Sequence, residues 1–458
     1  MGVAAELQSR GHSVLVVCSE SAVQFTQDAA ARYSSAATAA AMQYHGIAYQ
    51  YNYTTQQQHN GSTTKSSGMM KIMMKFTAAG SVTGSALNGG LMLLFFKWAG
   101  AGAAEGVLGD VELMQRLRNF QPDAVMAVGL PGSVISDNLA CLLSHALGRV
   151  PFIDINGNAL LTGPPSVPQF GAGLVRGARS EKCEALLEVT LGSWLVECPR
   201  PLAANQVMVG PGSPRAAQPI TSPPEVAEFI AAASSGLVLV AFGTMPVVGS
   251  SLTATDILEM AHAFVALAPL RFLWAMKQAG LPQGLQLSDI PLGDNCMIVP
   301  WVDQNDVLGH PNTRAFVSHA GLHSVYEAAF HGVPLAAVPF HFESLDQALK
   351  LAHRGAAVIS RHAPAFRAGD SQLAYTRQAV VELMREVLHN SSYTAAAEAL
   401  SGTMQERAYG ATSLSSSKEH GATQAAVQEG IFATSLSSSK EHWCYSGYCA
   451  GGHTVPHH

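Results

Sequence analysis

The chain is 458 residues long, 48% of its residues are hydrophobic, 13% are charged, and its net charge is −6. This length and apolar content can fill more than one hydrophobic core and predict two or three domains. The low, slightly acidic charge gives no indication of a basic surface for nucleic acid or anionic lipid, so no nucleic-acid partner is expected.

The first twenty residues, MGVAAELQSRGHSVLVVCSE, predict a helix up to Arg10, a turn at Gly11 and a strand over 13–18. We therefore expect the chain to begin inside a βα unit, on its helix, with the first strand of the domain missing. A basic start followed by an apolar core is absent, so no signal peptide is predicted.

The most apolar later window, residues 85–104, contains a lysine and several glycines. Its unbroken apolar run, 91–96, is far shorter than the roughly 20 residues that a membrane-spanning helix needs. No transmembrane anchor is therefore predicted. A cytoplasmic location is the default for this chain, or a membrane-associated one if a missing N-terminus carries a signal.

Residues 121–156 predict a strand at 121–130, a helix at 135–148 and a second strand at 150–156, an order typical of a parallel sheet. Proline-rich passages follow at 163–168 and 199–224, and the second is the best candidate for a linker.

The alternation then resumes. Strands are predicted in SGLVLVAFGT, RFLWAMK, CMIVPWV and RAFVSHAG, and a helix in ATDILEMAHAFVAL. The pattern indicates an α/β protein with two Rossmann-like domains. The predicted parts are an N-terminal Rossmann-like domain at 1–198, a linker region at 199–235, a C-terminal Rossmann-like domain at 236–402 and a low-complexity tail at 403–458.

The tail contains the sequence ATSLSSSKEH twice, at 411–420 and at 433–442. Such a segment cannot bury a core, so we expect it to be disordered. Its cysteines and histidines could hold a metal, although no structured ligand pair accompanies them. The seven cysteines of the chain form no zinc-type pair outside this tail, which indicates reduced, mostly buried thiols.

The stretch FVSHAGLHSVYEAAFHGVPLAAVPFHFES, residues 316–344, predicts a strand, a turn, a helix and a second strand. His319, Gly321 and Ser324 fall at the strand-to-helix turn, where free N–H groups and the helix dipole attract phosphate. Glu327 lies three residues after Ser324 on the same helical face, where its carboxylate suits a ribose diol. A nicotinamide-dependent Rossmann enzyme is disfavoured, because no GxGxxG follows a strand.

Residues 301–344 as a whole resemble the donor-binding signature of the UDP-dependent glycosyltransferases, a family of two-domain GT-B enzymes. The residues that carry the resemblance are Trp301, Gln304, Leu308, His310, Phe316, His319, Gly321, Ser324, Glu327, Gly332, Pro334 and Pro339. The resemblance implies two Rossmann-like domains that face each other across a cleft. The domain at 1–198 would lie on the acceptor side, and the domain at 236–402 would bind the UDP-sugar. The resemblance covers most of residues 1–400 and is far stronger in the second half than in the first.

The resemblance also implies residue roles. Trp301 would stack on the uracil, with Gln304 beside the base. His319 and Ser324 would contact the diphosphate, together with the Gly243–Thr244 turn. Glu327 would bind the ribose, and Glu343 the sugar hydroxyls.

Several positions depart from the family pattern. Ser344 stands where a Gln usually contacts the sugar, and Ala320, His323 and Asp303 replace a common Gly, Asn and Pro. The identity of the sugar is therefore left open.

The catalytic half of the pattern is incomplete. The family's base, a His after the first strand, has no counterpart, and its Asp partner is replaced by Val128 or Gly129. His45, read as a loop residue, could substitute for the base. A chain without the base and its partner is expected to turn a UDP-sugar over poorly.

The predicted function is the metal-free, inverting transfer of a hexosyl group from a UDP-sugar to a hydroxyl of a small lipophilic acceptor. No cofactor is expected, and the UDP-sugar is a co-substrate. The alternative is a non-catalytic UDP-sugar-binding protein or an inactive fragment of such an enzyme.

Overall fold

The computed structural model describes 2–19, 23–47, 107–129, 142–156, 186–197, 202, 204–221, 223–243, 251–340, 342–367, 374–414, 444–445 and 448–449. The chain divides into two compact units. Unit 1 comprises Met1–Leu161, Gln169–Ser193 and Pro201–Ser213, and unit 2 comprises Thr162–Pro168, Trp194–Arg200 and Pro214–His458. The chain thus enters unit 2 at residues 162 and 194, returns to unit 1 at 169 and 201, and enters unit 2 for the last time at 214.

Unit 1 contains two parallel sheets, β1-β2 and β3-β4-β5-β6. Its strands are β1 (Leu15–Ser19), β2 (Gln43–Ile47), β3 (Val125–Gly129), β4 (Phe152–Asn156), β5 (Leu187–Thr190) and β6 (Gln206–Met208). Its helices include α1 (Gly2–Ser9), α2 (Val23–Tyr33), α3 (Ala36–Ala41) and α4 (Val111–Phe120).

The predicted N-terminal helix, the turn at Gly11 and the strands before and after the 135–148 segment are confirmed. Of the predicted helix at 135–148, the structure describes residues 142–148, with helix at 142–146; the preceding part lies outside the described residues. The apolar window at 85–104 lies outside them as well. Among the described residues, no helix is both long and apolar enough to cross a membrane.

Unit 2 is built on a six-stranded parallel sheet in the order β12-β11-β10-β7-β8-β9. Its strands are β7 (Leu237–Ala241), β8 (Arg271–Ala275), β9 (Cys296–Val299), β10 (Thr313–Ser318), β11 (Leu335–Ala337) and β12 (Ala357–Ile359). Its helices are α5 (Pro224–Ala231), α6 (Ala254–Ala266), α7 (Gln304–Leu308), α8 (Leu322–His331), α9 (Phe342–His353), α10 (Pro364–Arg367), α11 (Arg377–His389) and α12 (Ser391–Leu414).

The central strand of this sheet, β7, consists of apolar residues only, which is why it could be predicted from the sequence. All five of its residues are buried, because elements cover both faces of the sheet. Phe264 of α6 stacks on Phe272 of β8 with ring centroids 4.4 Å apart, and meets Trp274 edge-on at 5.4 Å. These contacts form the centre of the core on one face of the sheet.

The end of unit 2 differs from the sequence-based expectation. Helix α12 continues to Leu414, so the predicted tail begins inside a helix. Met404 is buried, and Gln405 donates a hydrogen bond from Nε2 to the Phe330 carbonyl at 2.8 Å. Burial against α8 keeps this part of the low-complexity sequence helical. Residues 415–443 lie outside the described residues, and two short strands, β13 (Cys444–Tyr445) and β14 (Tyr448–Cys449), pair antiparallel beyond them.

Candidate functional site

The candidate site lies where the strand order of the unit 2 sheet reverses. From β7 the chain proceeds outward to β8 and β9, then returns to the other side of β7 as β10. The last residues of the two strands, Ala241 and Ser318, are paired in register. The segments that leave β7 and β10 therefore emerge side by side, at the kind of switch point where open α/β sheets bind ligands.

The His319 imidazole lies between two glycines of these segments. A methyl group added at Gly243 would lie 2.8 Å from His319 Cε1, and one added at Gly321 would lie 2.6 Å from Nε2. Gly243 also has φ +85°, a left-handed conformation that favours glycine. The two glycines thus make room for the ring, which also packs against Phe340 with centroids 5.8 Å apart. The prediction that Gly321 admits a phosphate stays a prediction.

Ala320 has a backbone conformation that side chains disfavour. Its φ is +62°, it is fully buried, and its N–H donates to Ser318 Oγ at 3.2 Å. The resemblance places a common Gly here, and the conformation gives the physical reason for that preference. Gly321 follows in an extended conformation, and α8 begins at Leu322.

A second group of predicted residues is joined by hydrogen bonds. Gln304, the first residue of α7, donates from Nε2 to Ser324 Oγ at 3.1 Å and to Glu327 Oε2 at 2.7 Å. Ser324 and Glu327 stand three residues apart on α8 and therefore share a face, as predicted. The structure thus brings together three of the residues that the sequence singled out.

The Glu327 carboxyl titrates near neutral pH. Burial raises its pKa to about 7, and the negative charges of Asp303 and Asp306 act in the same direction. The hydrogen bond from Gln304 and the positive charge of Arg215 act against this rise. Near pH 7 the carboxyl therefore exists in both forms, and its charged form can accept hydrogen bonds from two hydroxyl groups.

Four further positions were singled out in the sequence, namely Trp301, Glu343, Thr244 and Ser344. Trp301, between β9 and α7, leaves 45% of its surface exposed, which suits stacking on a flat base. Glu343 is the second residue of α9, which follows β11, although its side chain is outside the described residues. Thr244 is also outside them. Ser344 is buried, and its hydroxyl accepts from the Phe340 N–H at 3.0 Å, so it supports the backbone rather than facing solvent.

In unit 1 the reading of His45 as a loop residue is wrong. His45 lies in the middle of β2, is 9% exposed, and its Nε2 lies 3.3 Å from Asp110 Oδ2. Asp110 caps α4, with its other oxygen accepting from the Leu113 N–H at 2.9 Å. Because β2 pairs with β1 along its whole length, the neighbouring strand imposes the extended conformation on a polar segment. Val128 and Gly129 end β3, and their side chains are outside the described residues.

The sequence-based interpretation missed Arg215, which contacts the residues on both sides of Gln304. Its only signal in the sequence is a basic residue inside the proline-rich linker. The described part of the chain contains no group of three or more His, Cys, Asp or Glu side chains that could hold a metal ion.

Comparisons with known proteins bear on the fold and the family. The chain is similar to UDP-glucuronosyltransferase 3A1 of Xenopus laevis, with 31% identity over 212 residues that cover 46% of this chain and 37% of the relative. The chain thus spans little more than a third of that relative's length.

Two solved structures share the fold. The first is UDP-glucose:anthocyanidin 3-O-glucosyltransferase, with a TM-score of 0.58 and 15% identity; the match covers 88% of this chain and 90% of that one. The second is spinosyn rhamnosyltransferase SpnG, with a TM-score of 0.55 and 17% identity; the match covers 87% of this chain and 90% of that one. At such identities the likeness concerns the fold alone, and it confirms the predicted GT-B class.

The profile of one family, described as UDP-glucoronosyl and UDP-glucosyl transferase, matches residues 179–409, which is half of the chain. The matched range contains the whole signature from Trp301 to Ser344. The chain therefore belongs to the family of UDP-glucuronosyl and UDP-glucosyl transferases.

Proposed function

We propose that unit 2 binds a UDP-sugar and that the protein transfers the hexosyl group to a hydroxyl of a small lipophilic acceptor, with inversion and without a metal ion. The observation that carries this proposal is the hydrogen-bonded group of Gln304, Ser324 and Glu327. Ser324 and Glu327 stand on α8, the helix that follows β10 at the switch point of the sheet, and Gln304 begins α7.

The nucleotide fits these residues part by part. The Trp301 ring would stack on the uracil, and the Glu327 carboxylate would accept from the ribose hydroxyls. His319 and the free N–H groups at the start of α8 would face the diphosphate. A protein of the same fold, the anthocyanidin glucosyltransferase, was solved in complex with UDP.

The transfer itself exchanges one bond at the sugar. The acceptor oxygen forms a bond to C1 of the hexose, the bond from C1 to the β-phosphate oxygen breaks with its electron pair, and UDP leaves. The hydroxyl proton passes to a general base, for which we assign no residue. The partial positive charge of the α8 N-terminus, together with His319, offsets the charge of the leaving diphosphate.

Calorimetry with UDP tests the donor half of the proposal. The wild type should bind UDP, Trp301→Phe should retain most of the affinity, and Trp301→Ala should lose roughly tenfold or more, since stacking contributes about 1–3 kcal/mol. Absence of binding by the wild type would refute the donor site.

The transfer half requires a second assay, in which the chain is incubated with labelled UDP-glucose, UDP-galactose or UDP-glucuronic acid and a panel of phenols and sterols. Glycosylated product supports the proposed reaction. UDP binding without product from any pair would favour a UDP-sugar-binding protein instead.

A further inference from the structure

Arg215 forms a fork of ion pairs with the short helix that carries Gln304. Its Nη1 donates to Asp306 Oδ1 at 2.6 Å, and its Nη2 donates to Asp306 Oδ2 at 2.9 Å and to Asp303 Oδ2 at 3.1 Å. Only 19% of the arginine side chain and 10% of Asp306 are exposed. A partly buried, bidentate pair of this kind is both strong and directional.

The backbone around Arg215 is fixed to the same helix. The Arg215 N–H donates to Asn305 Oδ1 at 3.1 Å, and Asn305 Nδ2 donates to the Arg215 carbonyl at 3.0 Å. Three residues later, the Gln218 N–H donates to Asp306 Oδ1 at 2.8 Å. We call Arg215, Asp303, Asn305 and Asp306 the Arg215 clasp.

The clasp surrounds Gln304 in the sequence. Asp303 precedes it and Asn305 follows it, so both neighbours of Gln304 are bonded to Arg215. The helix α7 has only five residues and cannot hold its orientation through its own hydrogen bonds. The clasp therefore contributes to its placement, and with it to the hydrogen bonds of Gln304 to α8, together with the burial of Val307 and Leu308.

We propose that Arg215 is a positioning residue for the nucleotide site, which acts through Asp303, Asn305 and Asp306 to hold Gln304 against Glu327. The proposal rests on the proposed function, because it assigns a role to Arg215 in that same site. This role is not part of the donor-binding signature, because Arg215 lies outside residues 301–344. In addition, Asp303 stands where the family commonly has a proline, and a proline has no carboxylate to accept a hydrogen bond from Arg215.

The clasp also has an electrostatic consequence for Glu327. The charged groups that act on its carboxyl are Asp303, Asp306 and Arg215. Burial lowers the pKa of His331, one turn further along α8, to about 4, so this residue stays uncharged above pH 6. Loss of Arg215 would leave the negative charges of Asp303 and Asp306 unopposed, and these charges would raise the pKa of Glu327 further.

The first test is hydrogen–deuterium exchange of the whole chain without ligand. Arg215→Met should raise the exchange rate of the α7 amides by about tenfold or more, while the amides of β7 and β10 stay protected. Arg385→Met, which removes an exposed arginine of α11, is the matched control and should change neither. If Arg215→Met does not fold, Asp303→Ala removes a single arm of the clasp and should give a smaller increase in the same segment.

The second test is UDP affinity by calorimetry between pH 6 and pH 8.5. Arg215→Met should weaken UDP binding about tenfold or more, Arg215→Lys by less, and the pH of half-maximal affinity should rise by roughly half a unit or more in Arg215→Met. A purely structural role would weaken binding equally at every pH.

The outcomes separate the two proposals. Unchanged exchange of α7 in Arg215→Met, or an unshifted pH profile, would overturn the positioning role. Faster exchange of α7 in a chain whose wild type does not bind UDP would uphold the clasp as a structural device, refute its role in a nucleotide site and overturn the proposed function.

Discussion

Lys350 and Glu197 form an ion pair in unit 2, with Nζ 2.8 Å from Oε2, although only 7% of the lysine side chain and 1% of the glutamate side chain are exposed. Lys350 also lies 2.9 Å from Asp346 Oδ2, and the Tyr326 hydroxyl donates to the other Glu197 oxygen at 3.2 Å. Tyr326 belongs to α8, the helix of the candidate site. Glu197 is therefore bonded both to α8 and to Lys350, and its buried charge is costly to leave unpaired.

Lys350→Met is expected to lower the free energy of unfolding by about 3–5 kcal/mol, because it leaves a buried carboxylate without its counter-charge. Adding Glu197→Gln should recover a large part of this loss, since an amide needs no cation. Urea unfolding followed by circular dichroism measures both. A double variant as unstable as Lys350→Met alone would show that the charge pair is not the cause.

Ala320→Gly should leave the protein as stable as the wild type or slightly more stable. The substitution relieves about 1–2 kcal/mol of left-handed strain, which offsets the lost methyl burial and the added freedom of the unfolded chain. Ala328→Gly, at a fully buried position inside α8, is the control and should cost about 1–2 kcal/mol. Thermal melts of the two variants compare them directly, and an equal loss in both would contradict the assigned strain.

Glu327 gives stability a specific pH dependence. Its pKa is raised from 4.5 to about 7, chiefly by burial, so the folded state holds this proton more tightly than the unfolded chain does. Its contribution is therefore most favourable below pH 4.5 and is lost as pH rises towards 7. Glu327→Gln should be more stable than the wild type by on the order of 1–3 kcal/mol at pH 8, with no gain at pH 4.5. Urea midpoints across this range measure the difference, with Glu382→Gln, an exposed position on α11, as the matched control.

UDP binding is expected to be independent of divalent cations, since the helix N-terminus and His319 would offset the diphosphate charge. Calorimetry in the presence and absence of EDTA should give the same affinity. A large loss on chelation that manganese restores would contradict the metal-free donor site.

The sequence predicted the central strands of unit 2 because their apolar runs are unbroken, as in Leu237–Ala241. It failed for β2, whose Gln43, His45 and Gly46 carry no strand signal and become extended only through pairing with β1. The site was predicted from local spacing and resemblance, which correctly placed Ser324 and Glu327 on one face.

The long-range contacts of the site could not be predicted in the same way. The ion pair of Arg215 with Asp306 spans 91 residues, and no local period encodes it. The end of α12 was missed because serine and glycine content suggests a loop, whereas Met404 and Gln405 meet α8 only in the folded chain.

The return of the chain to unit 1 between residues 201 and 213 means that unit 2 is not a contiguous piece of sequence. After cleavage by a protease between 201 and 213, residues 194–197 would lie near the end of the N-terminal fragment and still be bound to unit 2 by Glu197 and by the Arg354 guanidinium, which donates to the Trp194 carbonyl at 3.1 Å. A recombinant fragment that starts at Pro214 would lack these residues and expose Lys350. The two units therefore cannot be exchanged between related genes as simple cassettes with one junction, because a crossover after residue 200 would separate a lysine from the glutamate that neutralises it.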